Sequence, residues 1–290
     1  MVMKKHAYLI IAHDKFEMLK RLVERLDSEW NDIYIHIDSK AGEIDQDYIA
    51  DGARKSSLFF VDRISVAWGG YSQIECEMIL FEAAYKKHYE YYHLLSGVDY
   101  PIKSQKEIRD FFEQNKGKEF IDFWDRPEKE YLYRVQYYYP LQEKIGRYTY
   151  DLHTICLRIL SKLLVLKQRI KRVNRLKMFD GEFKTGSQWV SVTDAFVCYL
   201  VENKNKIKSL FGDGIAVDEL FIQTMCWNSP FKSVLYNAGS IRLIDWERGN
   251  PYTWQESDFE EIQQSRCLFA RKLSDQNSLA QIIDENICSQ

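Results

Sequence analysis

The sequence predicts an α/β domain built on a mostly parallel sheet. Three observations carry this: a β-α-β opening, apolar runs of strand length buried on both faces, and helical patterns alternating with them. The chain has 290 residues, 46% of them hydrophobic and 29% charged, enough for one large domain with a sizeable core.

"HAYLIIA" (6–12) is a continuous apolar run that reads as a doubly buried strand. Asp14 and Glu17 follow as an N-cap and N3 pair resembling a capping box, and Phe16, Leu19, Leu22, Val23 and Leu26 recur at helical spacing. "IYIHID" (33–38) is a second strand, and the β-α-β order implies a right-handed parallel crossover. "SLFFVD" (57–62) reads as a third strand, "SQIECEMILFEAAYKKH" (72–88) as a helix, and "YYHLLS" (91–96) as another buried strand. Gly97 and Pro101 interrupt the pattern before "QKEIRDFFEQN" resumes it as a helix. Strands near 118–123 and 188–192 and a helix near 194–203 continue the alternation around an insert at about 126–185. With no internal repeat and no low-complexity linker, residues 1–290 read as one domain.

Composition narrows the function. A net charge of −3 argues against a general nucleic-acid binder. Nineteen Tyr, 16 Phe and 7 Trp suit a sugar-binding cleft, although aromatics more often fill cores. The six cysteines form no CxxC pair and sit in apolar surroundings, so they read as reduced thiols in a reducing compartment. No stretch reaches the ~20 apolar residues of a bilayer span, and the N-terminal apolar run reads as a strand rather than a signal peptide. A cytoplasmic protein is the expectation.

Neither GxGxxG nor GxxxxGK[ST] is present, so the usual phosphate cradles of hydride and P-loop phosphoryl transfer are missing. Any nucleotide site would lie outside the carboxyl ends of the strands, which gathers Ala12, His13 and Asp38 at one rim. Asp38 could hydrogen-bond a ribose or base, or cap a loop. Glu219 begins an apolar helix, where an acid complements the helix dipole whether or not it faces a cleft. Asp45-Gln46-Asp47 is a DxD triplet, but no strand leads into it, which disfavours a metal site. No zinc pattern exists among the six histidines. In "SRCLFARKLSD" (265–275) an apolar stretch runs into Arg271 and Lys272, which are either solvated surface or an anion clamp.

Six blocks, "AYLIIAHDKFEMLKRLVERL…IYIHIDSKA", "HLLSGVDYPIKS", "TGSQWVSVTDAFVCYLVEN", "VDELFIQTM", "IRLIDW" and "LFARK", stand in the order seen in glycosyltransferase family 14. The chain therefore resembles the core-2/I-branching β-1,6-N-acetylglucosaminyltransferases and peptide O-xylosyltransferases over most of its length, the insert excepted. The resemblance implies a GT-A-like fold and inverting transfer from a UDP-sugar without a divalent metal or other cofactor. By motif match, Glu219 is the general base. Arg242 and Lys272 take the diphosphate, which leaves Arg271 as a surface residue. Ile11, Ala12, His13, Asp38, Ser39 and Lys40 contact the uridine, and Ser65, three residues before Trp68, matches a donor-contacting position with a different side chain.

Gln188 in "GSQW" stands where the xylosyltransferases carry an acid, which puts xylosyl transfer to serine in doubt; N-acetylglucosamine is the sugar expected from the resemblance. Without the family's anchor or disulfides, the chain looks like a bacterial member acting on a polysaccharide or lipid-linked glycan. The alternatives are a xylosyltransferase-like enzyme, a DxD metal-dependent transferase, and a non-catalytic glycan- or nucleotide-binding protein.

Within the insert, residues 151–177 hold eight Arg and Lys against one acid, Asp151. Leu152, Ile155, Ile159, Leu163, Leu166, Ile170 and Val173 lie three or four apart, predicting a helix whose apolar stripe packs on the domain. The other reading of this segment is a peripheral membrane contact.

Overall fold

A computed structural model describes residues 4–147 and 149–287. Its central sheet has the strand order β3-β2-β1-β4-β6, with β1 at His6–Ala12, β2 at Asn31–Ile37, β3 at Ser57–Phe60, β4 at Tyr91–Ser96 and β6 at Ser191–Thr193. Strands β1 to β4 pair in parallel, and β6 closes the edge antiparallel to β4. The apolar run of β1 is explained by its central position. Tyr8, Ile10 and Ala12 enter the core beneath the Phe16–Leu26 helix, and Ala7 and Leu9 enter the opposite core beneath the helices Ser72–Ala84, Asp194–Glu202 and Asp218–Trp227. The α/β expectation is met.

A second sheet, of order β5-β8-β7, was not anticipated. Strand β5 is Asp99–Pro101, β7 is Arg242–Ile244 and β8 is Phe269–Arg271. Each has three residues, too few for period-2 alternation to show, and the stretch around Pro101 reads as a break. The expected strand near 118–123 is reduced to bridges at Glu119 and Phe120.

The first helix starts differently from expectation. Lys15, with φ 53°, is its N-cap and makes no side-chain capping bond, so Asp14 and Glu17 form no capping box. The Glu17 carboxylate instead accepts from the Tyr48 hydroxyl, which draws it away from the helix end. A capping box does form at Ser104 and Glu107, at the start of the Gln105–Gln114 helix.

The insert contains short helices and one long helix, Leu152–Ile170, capped by Asp151, whose Oδ1 accepts from the Thr154 amide at 2.9 Å. The expectation that its apolar stripe packs on the domain is corrected. Leu152, Ile159, Leu163, Leu166 and Ile170 are exposed, and Thr154 is the buried residue of the helix. What packs inward is the opposite face, including the partly covered Leu157, Leu164 and Val165.

Candidate functional site

Backbone hydrogen bonds draw the carboxyl ends of β1, β2 and β4 into one rim. The Asp38 amide donates to the Ala12 carbonyl at 2.9 Å, and the Gly97 amide to the Ile11 carbonyl at 2.9 Å. Gly97 packs tightly here, because a Cβ there would meet Ala12 Cβ at 3.1 Å. At this rim Ile11 is half-buried, Ala12 buried and His13 exposed.

Asp38 is buried and N-caps the Ser39–Ala41 turn, accepting from the Lys40 amide at 2.9 Å and pairing with Lys40 Nζ at 3.4 Å. The loop after β3 folds back onto this run. Ser39 N donates to the Ile64 carbonyl at 3.0 Å, Lys40 Nζ to the Val66 carbonyl, and Arg63 Nη2 to the Asp38 carbonyl at 2.9 Å. These bonds hold exposed Ser65 beside Ser39 and Lys40.

The carboxylate side of the site is built on the Asp218–Trp227 helix. Glu219, partly exposed, receives Arg134 Nη1 on Oε2 at 2.7 Å, and Oε1 accepts no hydrogen bond from the described residues. Arg134, from the short insert helix Tyr133–Gln136, also donates to the Ala216 carbonyl at 3.2 Å. Beneath them Asp218 is buried and accepts from Gln73 Nε2 at 3.0 Å. Burial and then the neighbouring Glu219 push its carboxyl up to about 7. Glu77 lies deeper still, with both carboxyl oxygens shut from water and unpartnered, and burial followed by Asp218 raises it well above the usual carboxylate range. Two buried acids with raised pKa values thus lie behind the ion-paired Glu219.

"TGSQW" passes behind this group. The Gly186 amide donates to the Glu219 carbonyl at 2.9 Å, and a Cβ on Gly186 would meet the Asp122 carbonyl at 1.9 Å. Gln188 and Trp189 emerge half-buried from that crossing.

Among the cations the structure changes the expected picture. Arg242 points into the protein: Nη1 donates to the Ser240 carbonyl at 2.6 Å, and Nη2 to the Val190 and Leu94 carbonyls at 2.6 and 3.2 Å. Although part of its side chain reaches the surface, its Nε is shut from water without an acceptor. Burial lowers its pKa to about 10 against the pull of Asp99 and Asp122. Arg242 is thus committed to backbone carbonyls.

Arg271, expected at the surface, is instead a rim residue whose side chain is only 15% exposed. Its Nη1 donates to Ser96 Oγ and Asp99 Oδ1, both at 2.7 Å, and its guanidinium lies 4.1 Å from the Trp189 ring centre. Among the described residues, the hydrogen bonds of its guanidinium run through Nη1, which leaves Nε and Nη2 for a ligand. Lys272 beside it is half-buried and has no carboxylate within 4.0 Å among the described residues. Its pKa is lowered by burial, then by Arg271, Lys15 and Arg147, with Asp99 opposing. Lys272 thus feels three neighbouring cations against one acid, a local excess of positive potential suited to a polyanion.

Trp68, 60% exposed, overhangs this region. The insert fixes its turn: Gln142 Nε2 donates to the Trp68 carbonyl at 3.0 Å, and Glu143 accepts from the Ser72 amide and hydroxyl at 2.9 and 2.7 Å. A cleft of about 360 Å³ runs from Trp68 and Ile215 along Arg158, Lys162 and Arg169 of the long insert helix. Sequence reasoning missed Arg134, Lys15 and Arg147, since a lone basic residue in a polar stretch carries no pattern.

Asp45 of the DxD triplet accepts from the Tyr48 amide at 2.9 Å as the N-cap of the Gln46–Ala50 helix. Among the described residues, the His, Cys, Asp and Glu atoms close enough to share a metal are those of His88, Asp194 and Cys198. They lie by the amino end of β4, at the opposite rim. The described cysteines are free thiols.

Residues 6–266 match the family model described as Core-2/I-Branching enzyme. Xylosyltransferase 2 of Canis lupus familiaris is 22% identical over 293 residues, covering 92% of this chain and 31% of that protein. The human beta-1,3-galactosyl-O-glycosyl-glycoprotein beta-1,6-N-acetylglucosaminyltransferase is 30% identical over 109 residues, 35% of this chain and 25% of that protein. The chain thus spans about a third of the length of the xylosyltransferases it matches. The crystal structure of mouse xyloside xylosyltransferase 1, apo form, aligns over 91% of this chain and 97% of that one with a TM-score of 0.38 and 11% identity.

Proposed function

The chain belongs to the Core-2/I-Branching enzyme family, and on that premise we propose that it is an inverting glycosyltransferase. It moves N-acetylglucosamine from UDP to a hydroxyl of a glycan or lipid-linked glycan, without a divalent metal. The observation that carries this reading is the adjacent pair Arg271 and Lys272 at the carboxyl-end rim, with Arg271 held by Ser96 and Asp99 against the Trp189 ring.

In the proposed reaction the acceptor oxygen attacks the anomeric carbon while Glu219 Oε1 takes its proton. The bond from that carbon to the UDP oxygen breaks, and the electron pair leaves on the diphosphate. Charge that develops on the leaving group is worth most to stabilise with groups fixed in advance. Lys272 supplies a point charge, and the planar fork of Arg271, with Nε and Nη2 available, can reach two phosphate oxygens. Arg134 Nη1 on Oε2 orients the Glu219 carboxylate, and the raised pKa values of Asp218 and Glu77 behind it reduce the negative charge packed against it.

Ile11, Ala12, His13, Asp38, Ser39, Lys40 and Ser65 border the rim and are assigned to the nucleoside. Arg242, assigned to the diphosphate from its motif, is reassigned to holding β4 and β7 together. The stretch 30% identical to an N-acetylglucosaminyltransferase supports that sugar, and the xylosyltransferases similar over 92% of the chain make UDP-xylose the competing donor to test. The test is transfer and hydrolysis measured over a panel of UDP-sugars with wild-type protein and Glu219→Gln. Loss of a general base costs about 10²–10⁴-fold in rate, so the variant should lose turnover and keep UDP affinity. Wild-type turnover by Glu219→Gln would reduce Glu219 to a helix-start acid, and failure to bind UDP in both proteins would end the transferase reading.

A further inference from the structure

The Leu152–Ile170 helix carries two apolar faces, and one of them has no partner. Leu157, Leu164 and Val165 lie on the inner face toward the domain. On the outer face Leu152, Ile159, Leu163, Leu166 and Ile170 are 81%, 55%, 55%, 52% and 76% exposed. At 100° per residue these five fall in one narrow stripe. Tyr150, 86% exposed, precedes the stripe at its amino end.

Charge identifies what covers it. Lys167 and Lys171 flank the stripe on one side, and Lys162 and Arg169 on the other. Residues 152–172 contain no Asp or Glu, in a chain whose net charge is −3. A second copy of the helix would bring these cation rows together with no counter-charge. An anionic lipid surface offers the apolar depth for the stripe and the negative charge for both flanks.

We propose that this helix lies in the headgroup layer of an anionic bilayer, its Leu and Ile stripe inserted and its flanking lysines on lipid phosphates. The helix does not span: no helix among the described residues is long and apolar enough to cross a membrane. The same helix walls the 360 Å³ cleft that begins at Trp68. On the transferase reading, therefore, a lipid-linked acceptor would reach the site along it. Surface binding itself does not depend on that reading.

The experiment is flotation of the full chain with vesicles of phosphatidylcholine containing about 30% phosphatidylglycerol, against pure phosphatidylcholine, at low and high salt. Binding to the anionic vesicles should exceed that to neutral ones at least ~10-fold and weaken as salt screens it. Ile159→Glu with Leu163→Glu, and separately Lys167→Glu with Lys171→Glu, should each lose at least ~10-fold in vesicle binding. Their melting temperatures and UDP-sugar hydrolysis in solution should match wild type, which separates failure of docking from failure of the chemistry. Equal binding by wild type and the charge-reversed variant would overturn the proposal. So would a wild-type dimer, broken by Ile159→Glu with Leu163→Glu, that ignores vesicles.

Discussion

Replacing Lys272 and Arg242 separately by Met tests which cation faces the leaving group, because the structure gives the two substitutions opposite consequences. Among the described residues Lys272 has no carboxylate within 4.0 Å, and it is opposed by Arg271, Lys15 and Arg147. Methionine keeps most of the stem's packing and removes a repelled charge, so the melting temperature should hold or rise. UDP would lose one charge-assisted contact of about 1.5–3 kcal/mol, which raises its Kd by about 10- to 150-fold.

Arg242→Met strips donors from the Ser240, Val190 and Leu94 carbonyls. The Val190 carbonyl keeps the Leu94 amide as a donor, so at about 1–3 kcal/mol for each of the other two acceptors the cost is about 2–6 kcal/mol. In a chain of this size that lowers the melting temperature by about 3–10 °C. UDP affinity of the folded fraction should stay within about threefold of wild type. The assays are calorimetric UDP titration and thermal melting on the same preparations. If Arg242→Met melted like wild type but lost UDP, while Lys272→Met kept it, the assignment drawn from the geometry would be wrong and the one drawn from the motif right.

Two further outcomes are expected. Activity should survive EDTA, and Asp45→Asn should leave it unchanged, since Asp45 serves as a helix cap; activity abolished by chelator and restored by Mn²⁺ would overturn this. Asp218 has its pKa raised to about 7, so the folded state keeps a proton that the unfolded chain releases near pH 4, and its contribution to stability falls as pH rises from about 4 to about 7. Buried His6, lowered to about 3, and His93 act with the opposite sign below about pH 6.5, so the readout must be a difference. Asp218→Asn should therefore gain on wild type across that window, by at most about 4 kcal/mol, and hold the gain above it. A difference in stability that does not change with pH would refute the proton on Asp218.

Much of the scaffold was legible because it rests on signals of sufficient length. Strands β1, β2 and β4 are six or seven residues long and buried on both faces, so each reads as an unbroken apolar run. The Asp218–Trp227 helix was equally visible. Its base candidate was not decided by that visibility, because a helix-start acid and a cleft-facing one look alike until Arg134 is seen on Oε2. The insert stripe was found but turned the wrong way. Periodicity gives the phase of a helix and not which of two apolar faces meets the domain, and here Leu157, Leu164 and Val165 compete with the Leu163 row.

The two arginines show the limit most sharply, because sequence distance from Lys272 is the wrong coordinate for them. Strands β7 and β8 are parallel, with Arg242 opposite Phe269 and Ile244 opposite Arg271. Residues 269 and 271 share a face by alternation, so Arg242 and Arg271 point to the same side, offset by one two-residue step of about 6.6 Å. The same step appears on β4: Arg242 reaches the Leu94 carbonyl, whereas Arg271 reaches the hydroxyl of Ser96, the last residue of that strand. Depth in the sheet therefore decides the roles. At the level of Leu94 a guanidinium is surrounded by backbone carbonyls and becomes part of the frame. One step outward it faces Asp99, Trp189 and the open rim, with donors to spare for a ligand. Only the register of strands three residues long distinguishes the two positions, and that register is fixed by contacts 148 and 175 residues apart in the chain.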